Sequence, residues 1–379
     1  MSIRRNPERS RAVLVALDIG RASHTEDRAE EATRLVASAG AQVVEVIRGR
    51  RDRPDASTYA GSGKVEEIKR ALDLHRSDIV VFDEQLSASQ VRNLERALAE
   101  GNPAVRVFDR TDVILDIFAQ RARTNEGKLQ VELARLEHLS TRLVKGWTHL
   151  ERQRGSLGKT GGPGEKQIEL DRRMIGEQVK KLKERLKKVG KVRATQRAGR
   201  ARSGLLRVAI VGYTNAGKST LFNRITRAKA YVADKLFATL DTTTRRVYLG
   251  EGAQITLSDT VGFIRDLPHS LVDAFKATLE ESVQADLLLH VVDCANPRYH
   301  EQIDDVNEVL DGIGAGEVPQ ILVYNQIDRT ALEPEVARDA YGKILNIKVS
   351  AFTGAGIDAL REVLAEAARD ASRSLPTAA

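Results

Sequence analysis

The sequence predicts an α/β protein in three parts: a small N-terminal α/β domain, a two-helix coiled-coil hairpin, and a phosphate-loop nucleotide domain. Three observations carry this. Strand-like and helix-like runs alternate over residues 12–109. Apolar residues recur at coiled-coil spacing on both sides of a glycine-rich stretch. An apolar β-branched run, Val208-Ala209-Ile210-Val211, leads straight into Gly212-Tyr213-Thr214-Asn215-Ala216-Gly217-Lys218-Ser219-Thr220. The expected division is 1–125, 126–204, 205–370 and a short tail, 371–379.

In the first part, Ala12 to Leu17 reads as a strand, and Thr25 to Ala39 as a helix that Gly40 ends. Gln42 to Ile47 is a second strand, Val65 to Leu74 a helix and Asp78 to Phe82 a third strand. Ser87 and Gln90 form a capping box ahead of Val91 and Leu94, and Val105 to Phe108 is a fourth strand. Alternation of this kind predicts a largely parallel sheet. Gly61-Ser62-Gly63-Lys64 looks like a phosphate loop, but Thr58 stands where the first glycine of G-x-x-x-x-G-K belongs. A plain helix start is the expected reading, and an anion-binding turn the alternative.

Leu129, Leu133, Leu136 and Leu143 follow the heptad rhythm, with Ser140 at one expected position. Met174 and Ile175, then Val179, Leu182, Leu186 and Val189, follow 4-3-4-3 spacing. Both are coiled-coil patterns. Between them, Gly146 to Gly164 is too rich in glycine to continue a helix. A two-helix antiparallel hairpin with a glycine-rich tip follows. Its second helix is basic: Glu165 to Gly204 holds seven Lys, seven Arg and five acids, a net of +9, whereas the whole chain carries +7. One segment therefore holds the positive balance, as a polyanion-binding element does.

Composition narrows the class. Of the 379 residues, 41% are hydrophobic and 30% charged, as in soluble proteins. No apolar run is long enough to span a membrane, and Met1 to Asn6 has no apolar signal core, so export is not expected. A single cysteine, Cys294, allows no internal disulfide and suits a reducing compartment. The seven histidines show no ligand spacing, so no zinc site is expected.

The nucleotide domain carries the chemistry. Gly212 and Gly217 let backbone N–H groups turn toward phosphates, and the helix that follows points its positive dipole end at them. Lys218 can reach the β- and γ-phosphates, and the Ser219 hydroxyl can take one Mg²⁺ position. Ile255 to Ser258 is a strand ending in Asp259-Thr260-Val261-Gly262; Asp259 can hold a Mg²⁺-bound water and the Gly262 N–H can meet the γ-phosphate. Ile321 to Tyr324 ends in Asn325-Gln326-Ile327-Asp328. Asp328 can accept from guanine N1–H and N2–H₂, a donor pair that adenine lacks. Ser350-Ala351-Phe352 follows a further strand and offers backbone donors to guanine O6. GTP rather than ATP is predicted. Between the two loops, Phe237-Ala238-Thr239-Leu240-Asp241 precedes Thr242, Thr243 and Thr244; by spacing alone any of the four threonines could close over Mg²⁺.

These pieces resemble the HflX family of GTPases, close to Obg among the translation-factor-related GTPases. The matching stretches are 212–219, 237–241, 259–262 and 325–328, together with Phe263 to His269, Ala274 to Glu281, Gly162 to Glu165 and Asp171-Arg172-Arg173. The resemblance implies a Ras-like P-loop GTPase domain, Mg²⁺-dependent GTP hydrolysis, GTP and GDP as ligands, and Thr239 as the switch threonine that joins Ser219 at the metal. It implies binding to the large (50S) ribosomal subunit and its rRNA, and splitting or rescue of stalled ribosomes under stress. The hairpin tip, 146–164, is then expected near the peptidyl-transferase region. A cytoplasmic monomer is expected, with no DNA partner and no membrane span. Gln326 stands where the family usually has lysine. Gly161 and Lys166 depart from the usual Arg and Thr around Gly-Pro-Gly-Glu.

Two further expectations come from the loops. Many Ras-like enzymes place a glutamine directly after D-x-x-G; Phe263 holds that position here and cannot orient water, so no catalytic residue is assigned and slow intrinsic hydrolysis is expected. Asn215 matches the position at which related GTPases bind K⁺, an implied second cation. Two other functions compete: an RNA-binding scaffold or chaperone with a weak nucleotide-sensing site, favoured by Gln326 and Phe263, and an ATP-using RNA remodeller acting through Gly61 to Lys64.

Overall fold

A computed structural model of the chain describes residues 3, 10–20, 25–100, 102–145, 163–201, 204–227, 236–250, 252–265, 268, 271 and 276–374. The chain divides into two compact units. One is Met1–Gln120 with Val131–Arg185; the other is Arg121–Gln130 with Leu186–Ala379.

In the first unit, strands β1 (Arg11–Ile19), β2 (Gln42–Arg51), β3 (Ile79–Phe82) and β4 (Arg106–Asp109) alternate with helices α1 (Thr25–Ala39), α2 (Ser62–His75), α3 (Ala88–Ala99) and α4 (Arg110–Arg121). The sheet order is β2-β1-β3-β4 and every pairing is parallel. Parallel strands covered on both faces need apolar residues at successive positions, and Ile79 to Phe82 are all buried. The capping box at Ser87 is present, with Gln90 N donating to Ser87 Oγ and Ser87 N to Gln90 Oε1. Helix α2 starts at Ser62, and its Lys64 ammonium is held by the Arg48 carbonyl and Glu67. The Gly61–Lys64 stretch is thus a helix start.

The fold also brings together groups whose spacing in the sequence gave no hint of it. His138 Nε2 lies 3.2 Å from Asp112 Oδ1 and 3.9 Å from Asp109 Oδ1. The spacing of the histidines in the sequence does not reveal this cluster. Each carboxylate is already bound as a helix cap: Asp112 N donates to Asp109, and Asp109 N to Asp112, across the start of α4. The His138 imidazole is buried beside that cap.

Helix α5 (Asn125–Lys145) and helix α6 (Pro163–Ala201) follow. Leu129 and Leu133 are buried, as is Leu182. Ile175, Val179, Leu186 and Val189 are less exposed than their neighbours, so they share Leu182's face; Met174, expected with them, is exposed. The Lys183 ammonium pairs with Glu137 at 2.8 Å, joining the two helices. Most of the expected tip, 146–162, lies outside the described residues.

The second unit holds a seven-stranded sheet of order β10-β11-β9-β8-β5-β7-β6. Its strands are β5 (Leu206–Gly212), β6 (Thr243–Gly250), β7 (Ala253–Asp259), β8 (Leu287–Asp293), β9 (Gln320–Asn325), β10 (Glu335–Arg338) and β11 (Ile344–Lys348). Among the described residues it also holds helices α7 (Lys218–Thr226), α8 (Lys276–Val283), α9 (Tyr299–Ile313) and α10 (Ile357–Ser374). The edge strands β6 and β10 run antiparallel to their neighbours; the inner pairings are parallel. Val208, Ile210, Leu257, Leu289 and Val323 pack with Leu221 and Phe222 of α7 and Leu360 of α10. The parallel strands β5, β7 and β9 end at Gly212, Asp259 and Asn325, so three polar motifs emerge at one edge, where open α/β sheets bind ligands.

Candidate nucleotide site

The loop after β5 is shaped by close approaches. Gly212 has φ +144°, and a Cβ there would overlap the Val291 carbonyl oxygen of β8. Gly217 has φ +92°, and a Cβ there would overlap the Asn325 side chain. Only glycine suits both positions. Asn215, at φ +64°, is exposed on the loop. Tyr213 and Ala216 are buried, and Thr220 is half-buried on α7.

Lys218 is buried, and its Nζ donates to the Gly212 and Tyr213 carbonyls at 3.0 and 2.6 Å. Burial pulls its pKa down to about 8, against the opposing charge of Asp259. A buried ammonium whose hydrogen bonds among the described residues go to carbonyls is a poor match for a full positive charge, and phosphate oxygens would suit it better.

Three predicted residues meet beside it. Ser219 Oγ donates to Asp259 Oδ2 at 2.7 Å, Thr239 Oγ1 donates to the same oxygen at 3.0 Å, and the two hydroxyls are 2.8 Å apart. Burial raises the Asp259 pKa; the Ser219 hydroxyl, the Lys218 charge and the Thr239 hydroxyl all oppose that shift. Its other oxygen, Oδ1, is buried and has no hydrogen-bond partner among the described residues. Of the threonines that compete by spacing, Thr239 is the one in this cluster, whereas Thr244 pairs with Ser258.

The segment after Asp259 is stitched to the loop. Thr214 N donates to the Phe263 carbonyl at 2.7 Å and Phe263 N to the Gly212 carbonyl at 3.1 Å, so Tyr213 and Phe263 form a parallel bridge. Thr260 Oγ1 donates to the Ile210 carbonyl. Val261 is buried, and Gly262 sits so close to Thr214 and Lys218 Nζ that a Cβ would lie 3.0 Å from the ammonium. Phe263 is 1% exposed and belongs to the core.

At the far end, Asn325 Nδ2 donates to the Ala216 carbonyl at 2.8 Å and its Oδ1 accepts from Ala351 N at 2.9 Å. The Asp328 carboxylate accepts from Ser350 Oγ. Gln326, in the left-handed region at φ +67°, donates to the Asn215 carbonyl and accepts from Arg329. Ile327 is buried and Phe352 is exposed. Sequence reasoning missed Arg224, whose guanidinium donates to the Ala351 and Phe352 carbonyls and fixes that loop.

Within 237–241, Thr239 supplies the bonds to Ser219 and Asp259. Phe237, Ala238 and Leu240 are apolar; Phe237 and Leu240 are buried. The Asp241 carboxylate accepts from Arg123 N, Thr124 N and Thr124 Oγ1. The carboxylate thereby satisfies amides at the start of α5, where the helix supplies no carbonyl partner.

Comparison with known proteins agrees with this arrangement. Residues 26–119 match a family model described as GTP-binding GTPase N-terminal, 121–200 the GTP-binding GTPase middle region, and 207–326 the 50S ribosome-binding GTPase. The GTPase HflX of Escherichia coli K12 is 52% identical over 356 residues, covering 94% of this chain and 82% of that protein. The GTPase HflX of Caldanaerobacter subterraneus is 45% identical, covering 94% and 80%. A solved structure described as the SsGBP–GDP complex is 25% identical with a TM-score of 0.51, covering 96% of this chain and 99% of that one. No helix among the described residues is long and apolar enough to cross a membrane. A phosphate loop, the Thr239 and Asp259 segments meeting at Ser219, and similarity over 94% of the chain place it in the HflX family of GTPases.

Proposed function

We propose that this GTPase acts on the large ribosomal subunit, splitting or rescuing stalled ribosomes under stress, with GTP setting its bound state. The observation that carries the reading is the Ser219–Thr239–Asp259 cluster beside Lys218. Residues from the phosphate loop and from both switch segments already share one hydrogen-bond network, so a γ-phosphate there would act on both switches at once. The basic α6 supplies the surface for rRNA.

In this reading the amides of 212–217 cradle the phosphates, and Lys218 exchanges its carbonyl partners for phosphate oxygens. Asp328 selects guanine, with Ser350 and Asn325 holding the readout loops in place. The residues fit Mg²⁺: the Ser219 and Thr239 hydroxyls converge, and the orphaned Asp259 Oδ1 can accept from a metal-bound water. Mg²⁺ there neutralises phosphate charge. Phe263 is locked in the core and offers no group to orient water, so hydrolysis needs help from the bound partner. K⁺ beside Asn215 is a second aid; equal hydrolysis rates in K⁺ and Na⁺ would remove it.

Co-sedimentation with large subunits at one fixed salt concentration tests the proposal. Pelleting with a non-hydrolysable GTP analogue, and little with GDP or an ATP analogue, is expected. Equal pelleting in all three would instead favour an RNA-binding scaffold.

A further inference from the structure

We infer that Asp241 is a positioning residue that ties the Thr239 segment to the root of the first hairpin helix, so that γ-phosphate sensing and the start of α5 move as one. The inference rests on the proposed role of Thr239.

Thr124 caps α5. Its Oγ1 accepts from Gly127 N at 3.0 Å, three residues on, as an N-cap side chain does. The turn before the cap leaves the amides of Arg123 and Thr124 to be satisfied, and Asp241 Oδ2 takes both, at 2.7 and 3.0 Å. Asp241 Oδ1 accepts from the Thr124 hydroxyl. One carboxylate thus accepts three hydrogen bonds, and its negative charge sits at the positive end of the α5 dipole. Gly127 completes the fit: a Cβ there would overlap Asp241 Oδ1. All these residues lie in one compact unit.

Thr239, only two residues before Asp241, bonds Ser219 and Asp259. The short span 239–241 is therefore fastened at one end to the metal and phosphate residues and at the other to α5. Two residues of backbone cannot absorb much displacement. A ligand that draws Thr239 inward strains or tightens the Asp241 contacts, and a partner that pulls on α5 shifts Thr239 by the same coupling. The Asp241 carboxylate, taken up by Arg123 and Thr124, keeps Thr239 where the γ-phosphate can find it.

The test compares affinities for labelled GDP and for a non-hydrolysable GTP analogue, with Mg²⁺, in the full chain. Asp241→Asn, Asp241→Ala and Gly127→Ala are each expected to weaken the GTP analogue at least fivefold and GDP less than twofold. Gly127→Ala is informative because alanine favours an unhindered helix. Equal loss for both nucleotides, or no loss in any variant, overturns the inference. Thr239→Ala separates the two readings: if it leaves the GTP:GDP ratio unchanged, the switch assignment and the tie both fail. If Thr239→Ala lowers the ratio and the Asp241 variants do not, the tie alone fails. Amide hydrogen exchange gives a second readout that a purely structural role would not move. Protection over 123–127 should rise with the GTP analogue relative to GDP in the parent, and this nucleotide response should vanish in Asp241→Asn; a response that survives overturns the tie.

Discussion

Lys218 is the residue at which burial and function meet most directly. With its pKa pulled down to about 8 before ligand arrives, the ammonium is half-neutral at mildly alkaline pH. Phosphates favour the charged form, so binding takes up a proton there. Nucleotide affinity should be level below that pH and fall by up to about tenfold per unit above it. A fluorescence titration with labelled GDP from about pH 6.5 to about pH 9.5, a range that brackets that value, checks this. At the base-reading end, Asp328→Asn replaces one acceptor oxygen by a donor aimed at guanine's own donors. GTP affinity should drop by roughly two orders of magnitude or more, measured by competition against labelled GDP. Gln326 bonds the Asn215 carbonyl and Arg329; Gln326→Lys, with its longer aliphatic stem, should strengthen binding a few-fold in the same assay.

Contiguous elements were the most legible. The strand, loop and helix around Gly212 are successive in sequence, and their polar groups fall into place once β5 enters a parallel sheet. Asp259 and Asn325 were readable for the same reason, as residues at strand ends. The Ser87 capping box and the 25–39 helix bounds were also legible, because both depend on near neighbours. Contacts between distant stretches were not. Asp241 and Thr124 are separated by 117 positions, and the pattern of either stretch alone names no partner. The only local sign is Thr124 three residues before Gly127, a cap spacing with a small residue inside it. His138 was unreadable in the same way, because its carboxylates come from another element. Packing between elements also sets the tolerance of the loop: Gly212→Ala would force a side chain against the backbone of β8 at a φ that disfavours one. It should lower stability by roughly 3 kcal/mol, or prevent folding, seen as a fall in the urea midpoint.

For the molecule as a whole, buried charge links stability to pH. His290 sits inside β8, with its pKa pushed from 6.5 to about 4 by burial. The unfolded chain binds the proton more readily, so this contribution is complete above pH 6.5 and is lost as pH falls toward 4. At about pH 5 the loss from this residue should be about 2 kcal/mol relative to about pH 7. His290→Leu should flatten that part of the stability curve in urea unfolding.

The exposed lysines of α6 act at the same scale. Changing Lys180, Lys187 and Lys188 to glutamine should weaken RNA binding evenly across sequences. The salt slope should fall by about one for each phosphate that no longer meets a lysine, read from affinities at several salt concentrations.

Helix α6 also has a mechanical consequence. Its 39 residues run unbroken from Pro163 to Ala201. At about 1.5 Å per residue that is a strut of about 58 Å. A strut of that length is a lever: a tilt of only about 5° at the Ala201 end swings the Pro163 end through roughly 5 Å, the rise of one helical turn. If α6 meets rRNA as proposed, a tilt of that size at one end would be a step large enough to open or close contacts at the other.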